Sequence, residues 1–165
     1  MRLNDPILGE IDRESKSTIR MIVRAPSDKL DWTPHPKSMT LGALCWHLAT
    51  IPERVAIMLR RGSYDATTAR PGPAPNAGDA IGVFKKNIAE IRALIDGMSD
   101  ADLVAPFTMM AGERVLTTMP KIAVIRTILL NHSYHHRGQL SLYLRLLDVP
   151  LPAIYGTSAD ENPYG

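Results

Sequence analysis

Two histidines, His132 and His136, sit four residues apart in a run otherwise apolar at helical spacing: Ile122, Ile125, Leu129, Leu140, Tyr143 and Leu147. On a helix, residues at i and i+4 lie one above the other, roughly 6 Å apart at Cβ. Two imidazoles so placed can converge on one ion at nitrogen–metal distances of about 2.0–2.1 Å. A third ligand must come from another element. His47, beside Leu44 and Ile51, is the other histidine on an apolar helical stripe. Three histidines leave a coordination position open for water or substrate, the pattern of a catalytic rather than a structural metal. The competing reading is three neutral core histidines, satisfied by Asn131, Ser133, Tyr143 or backbone groups.

Other residues qualify this picture. His135 lies off the stripe and beside His136, so it reads as a support behind the ligands or an interface residue. Arg137 and Gln139 flank the pair, where either could meet an anionic substrate or simply face solvent. Ser15 and Thr18, small polar residues in an apolar helical stripe, would leave room above a metal. Tyr143 is a further candidate contact. His35, between Pro34 and Pro36, reads as a surface loop residue. Glu53, nearly two turns beyond His47, reads as a solvated carboxylate. Cys45 points away from His47, and nothing in the sequence marks it as reactive. A Gly-rich phosphate loop, a Gly-x-Ser-x-Gly elbow and a His-Glu-x-x-His motif are all missing from the sequence.

The elements that must position these residues are four helices. The apolar period predicts them over about 6–24, 40–61, 77–98 and 119–148. Asn4 or Asp5 can cap the first, with Pro6 suited to its first turn. Pro52 predicts a kink in the second, and Gly62 a left-handed cap after it. Residues 63–76, with Arg70-Pro-Gly-Pro-Ala-Pro75, read as loop. Residues 99–118 read as irregular, with a short extended piece around Phe107 and Val115. Residues 151–165 read as a coil tail. Strand signals are nearly missing, so the expected fold is all-α, a four-helix bundle in one domain spanning 1–165.

Composition agrees. The chain has 165 residues, 45% apolar and 22% charged, which suits one globular domain. Its 19 basic and 17 acidic residues leave a net charge of +2 with no basic run, which argues against a dedicated nucleic-acid binder. A single cysteine rules out an intrachain disulfide. No run reaches the roughly 20 apolar residues that span a bilayer, and the N-terminus does not read as a signal peptide. A soluble, cytoplasmic protein is expected.

The segment His132-Ser-Tyr-His-His136-Arg-Gly-Gln-Leu140, followed by Tyr143-Leu-Arg-Leu-Leu-Asp-Val-Pro150, resembles the last helix of the DinB-like proteins. The tail Leu151-Pro-Ala-Ile-Tyr155-Gly-Thr-Ser-Ala-Asp-Glu161 is similar to the one that follows it in many members, with Thr157 where many have Pro. Ser38-Met-Thr-Leu-Gly-Ala-Leu-Cys-Trp-His47-Leu-Ala resembles, more loosely, the family's helix-two histidine motif. The likeness runs from about Asp31 to Glu161. It implies up-down-down-up topology, usually a homodimer, and a divalent metal on residues matching His47, His132 and His136. The family name refers to damage-inducible expression and carries no implication of DNA binding.

Some relatives are transferases or isomerases that use low-molecular-weight thiols; others are described as metal-dependent hydrolases. The resemblance therefore implies a thiol-dependent transferase or isomerase first, and a hydrolase using metal-activated water second. A non-enzymatic, metal-binding dimeric module is the third reading. Three neutral imidazoles accept several divalent ions, with zinc or nickel expected ahead of iron, manganese or cobalt.

Overall fold

The computed structural model describes residues 2–68 and 77–165. The proline-rich stretch 70–75, read above as loop, lies outside them. Three long helices, α1 (Asp5–Ile22), α2 (Leu41–Arg61) and α3 (Ala77–Asp96), precede a short α4 (Asp100–Val104). A final helical run comprises α5 (Lys121–Val124), a π-helical segment (Ile125–Asn131) and α6 (His132–Leu146). Helix α1 packs on α3 and α6, and α2 packs on the same two.

Cross-contacts give the helix directions. Glu10 on α1 meets Arg126 and Tyr134, and Glu14 further along meets Arg137, so α1 and α6 run parallel. Asn4 at the start of α1 bonds Ile95 O at the end of α3, while Asp12 bonds Arg92, so α1 and α3 are antiparallel. Tyr143 near the end of α6 bonds Met39 O just before α2, and His47 meets His132, so α2 and α6 are antiparallel. The order is up-down-down-up.

Each long helix buries the stripe its sequence period predicts. Leu44, Leu48, Ile51, Val55 and Met58 of α2 are buried, as are Phe84, Ile91 and Ile95 of α3. Thr40 caps α2 by accepting from the Ala43 N–H, and the helix runs unbroken through Pro52. Gly62 ends it at φ +70°, a left-handed conformation that favours a residue without Cβ. Asn4 does not cap its own helix. It is fully buried, and its Nδ2 donates to Ile95 O and Met98 O, carbonyls left over at the end of α3.

The expectation of helices alone is corrected in one place. Three strands, β1 (Ser63–Asp65), β2 (Pro106–Ala111) and β3 (Arg114–Pro120), form a sheet in the order β1-β2-β3. Strand β1 pairs parallel with β2, and β2 pairs antiparallel with β3. Gly112, at φ +61°, makes the tight turn between β2 and β3. Met119, expected to begin the last helix, belongs to β3. Ser99, expected in loop, forms a capping box with Asp102 that starts α4.

Candidate metal centre

The π-helical segment ends where the site begins. The His132 N–H donates to Thr127 O, five residues back, so one extra residue is fitted in just before the first histidine. Such insertions rotate everything that follows, and they recur at functional sites. Residues His132 and His136 then present one face of α6 to His47 on α2.

The three Nε2 atoms converge. His47 Nε2 lies 3.3 Å from His132 Nε2, which lies 2.6 Å from His136 Nε2. With metal–nitrogen distances of about 2.05 Å, two ligand nitrogens sit about 2.9 Å apart at 90° and about 3.3 Å apart at 109°. Small rotations of the imidazoles cover the difference from 2.6 Å. One ligand atom from each residue lies within 4.8 Å of the others, so the cluster is positioned to hold a metal ion. His136 is buried, and His47 and His132 are half-buried.

Burial also sets the protonation state. Desolvation first, then the neighbouring imidazoles and Arg54, push His47 down to about 4. His132 is pushed down to about 4 by desolvation, His136, His135 and Arg54. His136 is lowered mainly by desolvation. All three are therefore neutral at pH 7, the form that binds metal.

Gln139, one turn beyond His136, supplies the orientation. His136 Nδ1 lies 2.7 Å from Gln139 Oε1. A carbonyl oxygen only accepts, so Nδ1 carries the proton and Nε2 keeps its lone pair for an ion. Sequence reading named Gln139 as a flanking residue but not in this role; its i+3 spacing from His136 was the available signal.

The remaining candidates go elsewhere. His135 is exposed, its ring centroid 4.9 Å from that of His136. Arg137 turns to α1, where it pairs with Glu14 at 2.6 Å and stacks on Tyr134 and Tyr155. Ser15 Oγ donates to Asp12 O, and Thr18 Oγ1 to Glu14 O. These two line a small cavity with Phe84, Leu130 and Tyr134 rather than the space over the histidines. Tyr143 supports the beginning of α2: its hydroxyl donates to Met39 O, and Trp32 packs edge-on against its ring. His35 is exposed, with Nδ1 accepting from Lys37 N. Glu53 is exposed as well. Cys45 is fully buried, and burial pushes its thiol up to about 12.

A cavity of about 120 Å³ opens beside His47 and His132. Ile51, Met58, Ile128 and Tyr64 line it, together with Arg54. Tyr64 comes from β1, so the sheet contributes a wall of this cavity.

Residues 10–140 match the DinB superfamily. The chain belongs to the DinB superfamily. Among curated proteins it is similar to the uncharacterized protein YrdA of Bacillus subtilis, 24% identical over 162 residues, covering 95% of this chain and 90% of that one. A DinB-like protein from Bacillus cereus superposes with a TM-score of 0.73 at 25% identity, over 90% of this chain and 95% of that one. The DinB-like protein YjoA from Bacillus subtilis gives 0.72 at 18% identity, over 91% and 98%. The DinB-like fold expected from helix period and motif is thus present, carrying a small sheet in addition. No helix among the described residues is long and apolar enough to cross a membrane.

Proposed function

We propose that this DinB-superfamily protein is a metal-dependent transferase that joins a low-molecular-weight thiol to an electrophilic small molecule. One observation carries the reading: among the described residues, the cavity beside His47 and His132 is lined by apolar side chains and Arg54, and by no carboxylate. A divalent ion on His47, His132 and His136, zinc or nickel for this donor set, would keep a bound thiol as its thiolate. In the transfer, sulfur forms a bond to the electrophilic carbon, the thiol proton leaves to solvent, and the leaving group takes its electron pair.

The chain's own residues do the rest. Gln139 holds the His136 ring. Ile51, Met58 and Ile128 exclude water from the reacting sulfur, and Arg54 gives this wall of the cavity a positive charge. Hydrolysis would instead call for a general acid or base at the cavity, where no described lining residue is a carboxylate. A purely structural role would call for a closed fourth position, whereas this cavity lies against two of the three ligands. The same reading includes a cytoplasmic homodimer, checked by light scattering.

The test is metal content by mass spectrometry, on untagged protein purified without a nickel column, beside His132→Ala/His136→Ala. Near one ion per chain, lost in the variant, followed by thiol-dependent turnover of an electrophile such as a chlorodinitroarene, is the expected result. Folded protein that takes up no zinc, nickel, manganese or iron sinks the proposal. Metal-loaded protein that hydrolyses esters without a thiol would replace it with the hydrolase.

A further inference from the structure

A second, apolar recess lies on the other side of α6. We propose that it binds a small uncharged aromatic molecule of one or two rings. The cavity measures about 210 Å³ and sits between α1, α6 and the tail, with Met21, Tyr134, Leu151, Ile154 and Tyr155 among its walls. On a helical wheel, Tyr134, Arg137, Gly138 and Ser141 point about 180° away from His132, His136 and Gln139. It is therefore separate from the candidate metal centre.

Three observations point to a ligand. The first is the tail that forms the outer wall. It has no regular secondary structure, yet polar bonds hold it in one place. Arg145 pairs with Asp160, Arg20 and Arg24 pair with Glu161, and Arg24 also donates to Pro150 O. A coil tied down in this way still leaves space for a ring, where protein interiors normally leave few voids larger than a water. An engineered apolar cavity of about 150 Å³ suffices for benzene.

The second is Gly138, which lies in the interior of α6 and on the cavity wall. Glycine there weakens a helix relative to alanine. No close packing requires it, because a Cβ built at Gly138 meets nothing within 4 Å. Gly138 is exposed, so the space over it is the open mouth of the recess, which a larger side chain would fill.

The third is the state of the polar groups in the wall. Arg137 is committed to Glu14 and Tyr155, Ser141 to Gly138 O, Ser158 to Leu151 O, and the Tyr134 hydroxyl to Glu10. The occupant is therefore recognised by its apolar surface. Arg137 is covered by the Tyr134 and Tyr155 rings, and these two rings, which line the recess, favour an aromatic occupant over a saturated ring.

Indole is the probe, and methyl NMR of the full chain is the readout, made without added metal so that it is independent of the histidine cluster. Saturable shifts of the Met21, Leu151 and Ile154 methyls are expected, with Kd on the order of 1 mM or below for a ligand of this size. Cyclohexylmethanol should bind at least fivefold more weakly. Gly138→Met, whose side chain enters the cavity, should weaken indole at least tenfold. Gly138→Ala, which adds only a Cβ in open space, should fold like the wild type and weaken indole less. Absence of saturable shifts in the wild type overturns the proposal. So does equal affinity in folded Gly138→Met, or in Gly138→Ala and wild type alike should the Met variant not fold. Equal binding of the saturated alcohol overturns the aromatic preference.

Discussion

Removing the Gln139 side chain should weaken metal binding without touching a ligand. In the native arrangement the 2.7 Å contact from His136 Nδ1 to Gln139 Oε1 selects the tautomer whose Nε2 is free, and aims the ring at His132. In Gln139→Ala the ring regains both tautomers and its rotation about χ2. Binding an ion must then restore one of each. Loss of such an outer partner lowers affinity about 10–100-fold, which is about 1.4–2.8 kcal/mol at 1.4 kcal/mol per tenfold. Gln139→Glu keeps an acceptor at the same place and should retain affinity or tighten it, since a carboxylate accepts more strongly. The assay is competition for zinc against a chromophoric chelator at pH 7.5, with nitrogen-15 NMR reporting the His136 tautomer. Affinity in Gln139→Ala within twofold of wild type, with the Nδ1–H tautomer still dominant, would refute the reasoning.

Three further predictions concern the histidines, the ion pair between α1 and α6, and Cys45. Because His47 and His132 are pushed down to about 4, and His136 is lowered too, the unfolded chain binds more protons than the folded one between about pH 4 and 6.5. Stability of the metal-free protein should therefore be fully present above pH 6.5 and fall as pH drops towards 4. Urea midpoints across that range check this, and His132→Ala/His136→Ala should flatten the slope. Arg137→Met leaves the Glu14 carboxylate, 15% exposed, with the Tyr155 hydroxyl but without its cation between α1 and α6. It should cost about 3–5 kcal/mol by urea unfolding, in the way of a broken buried pair. Cys45, buried and pushed up to about 12, should not react with a disulfide reagent at pH 8 in the native state, and should react fully in urea.

Much of the helical scaffold was legible because it rests on local period. Four apolar stripes with seams three and four residues apart specify amphipathic helices wherever they pack. Thr40 and Gly62 mark the ends of α2 by local chemistry alone. The sheet was hidden for the converse reason. In β2 only Phe107 is buried, and all but one residue of β3 is exposed, so neither strand shows a buried alternate face. The two pair with each other as a hairpin, while β1 depends on a partner more than 40 residues away.

At the site, the i, i+4 spacing placed His132 and His136 on one face, and helical stripe membership singled out His47. Spacing within a helix says nothing about which helix a neighbouring face meets. Arg137, next to His136, faces Glu14 on α1, and Ser15 lies away from the histidines, because the turn of the helix carries successive residues to different neighbours. The sequence by itself thus determined the helices, the histidine pair and the family. Tertiary packing decided the convergence of three Nε2 atoms from two helices, the Gln139 contact on a ring already aimed, and the cavity that Arg54 and Tyr64 wall. Those depend on distances between elements, which no local pattern encodes.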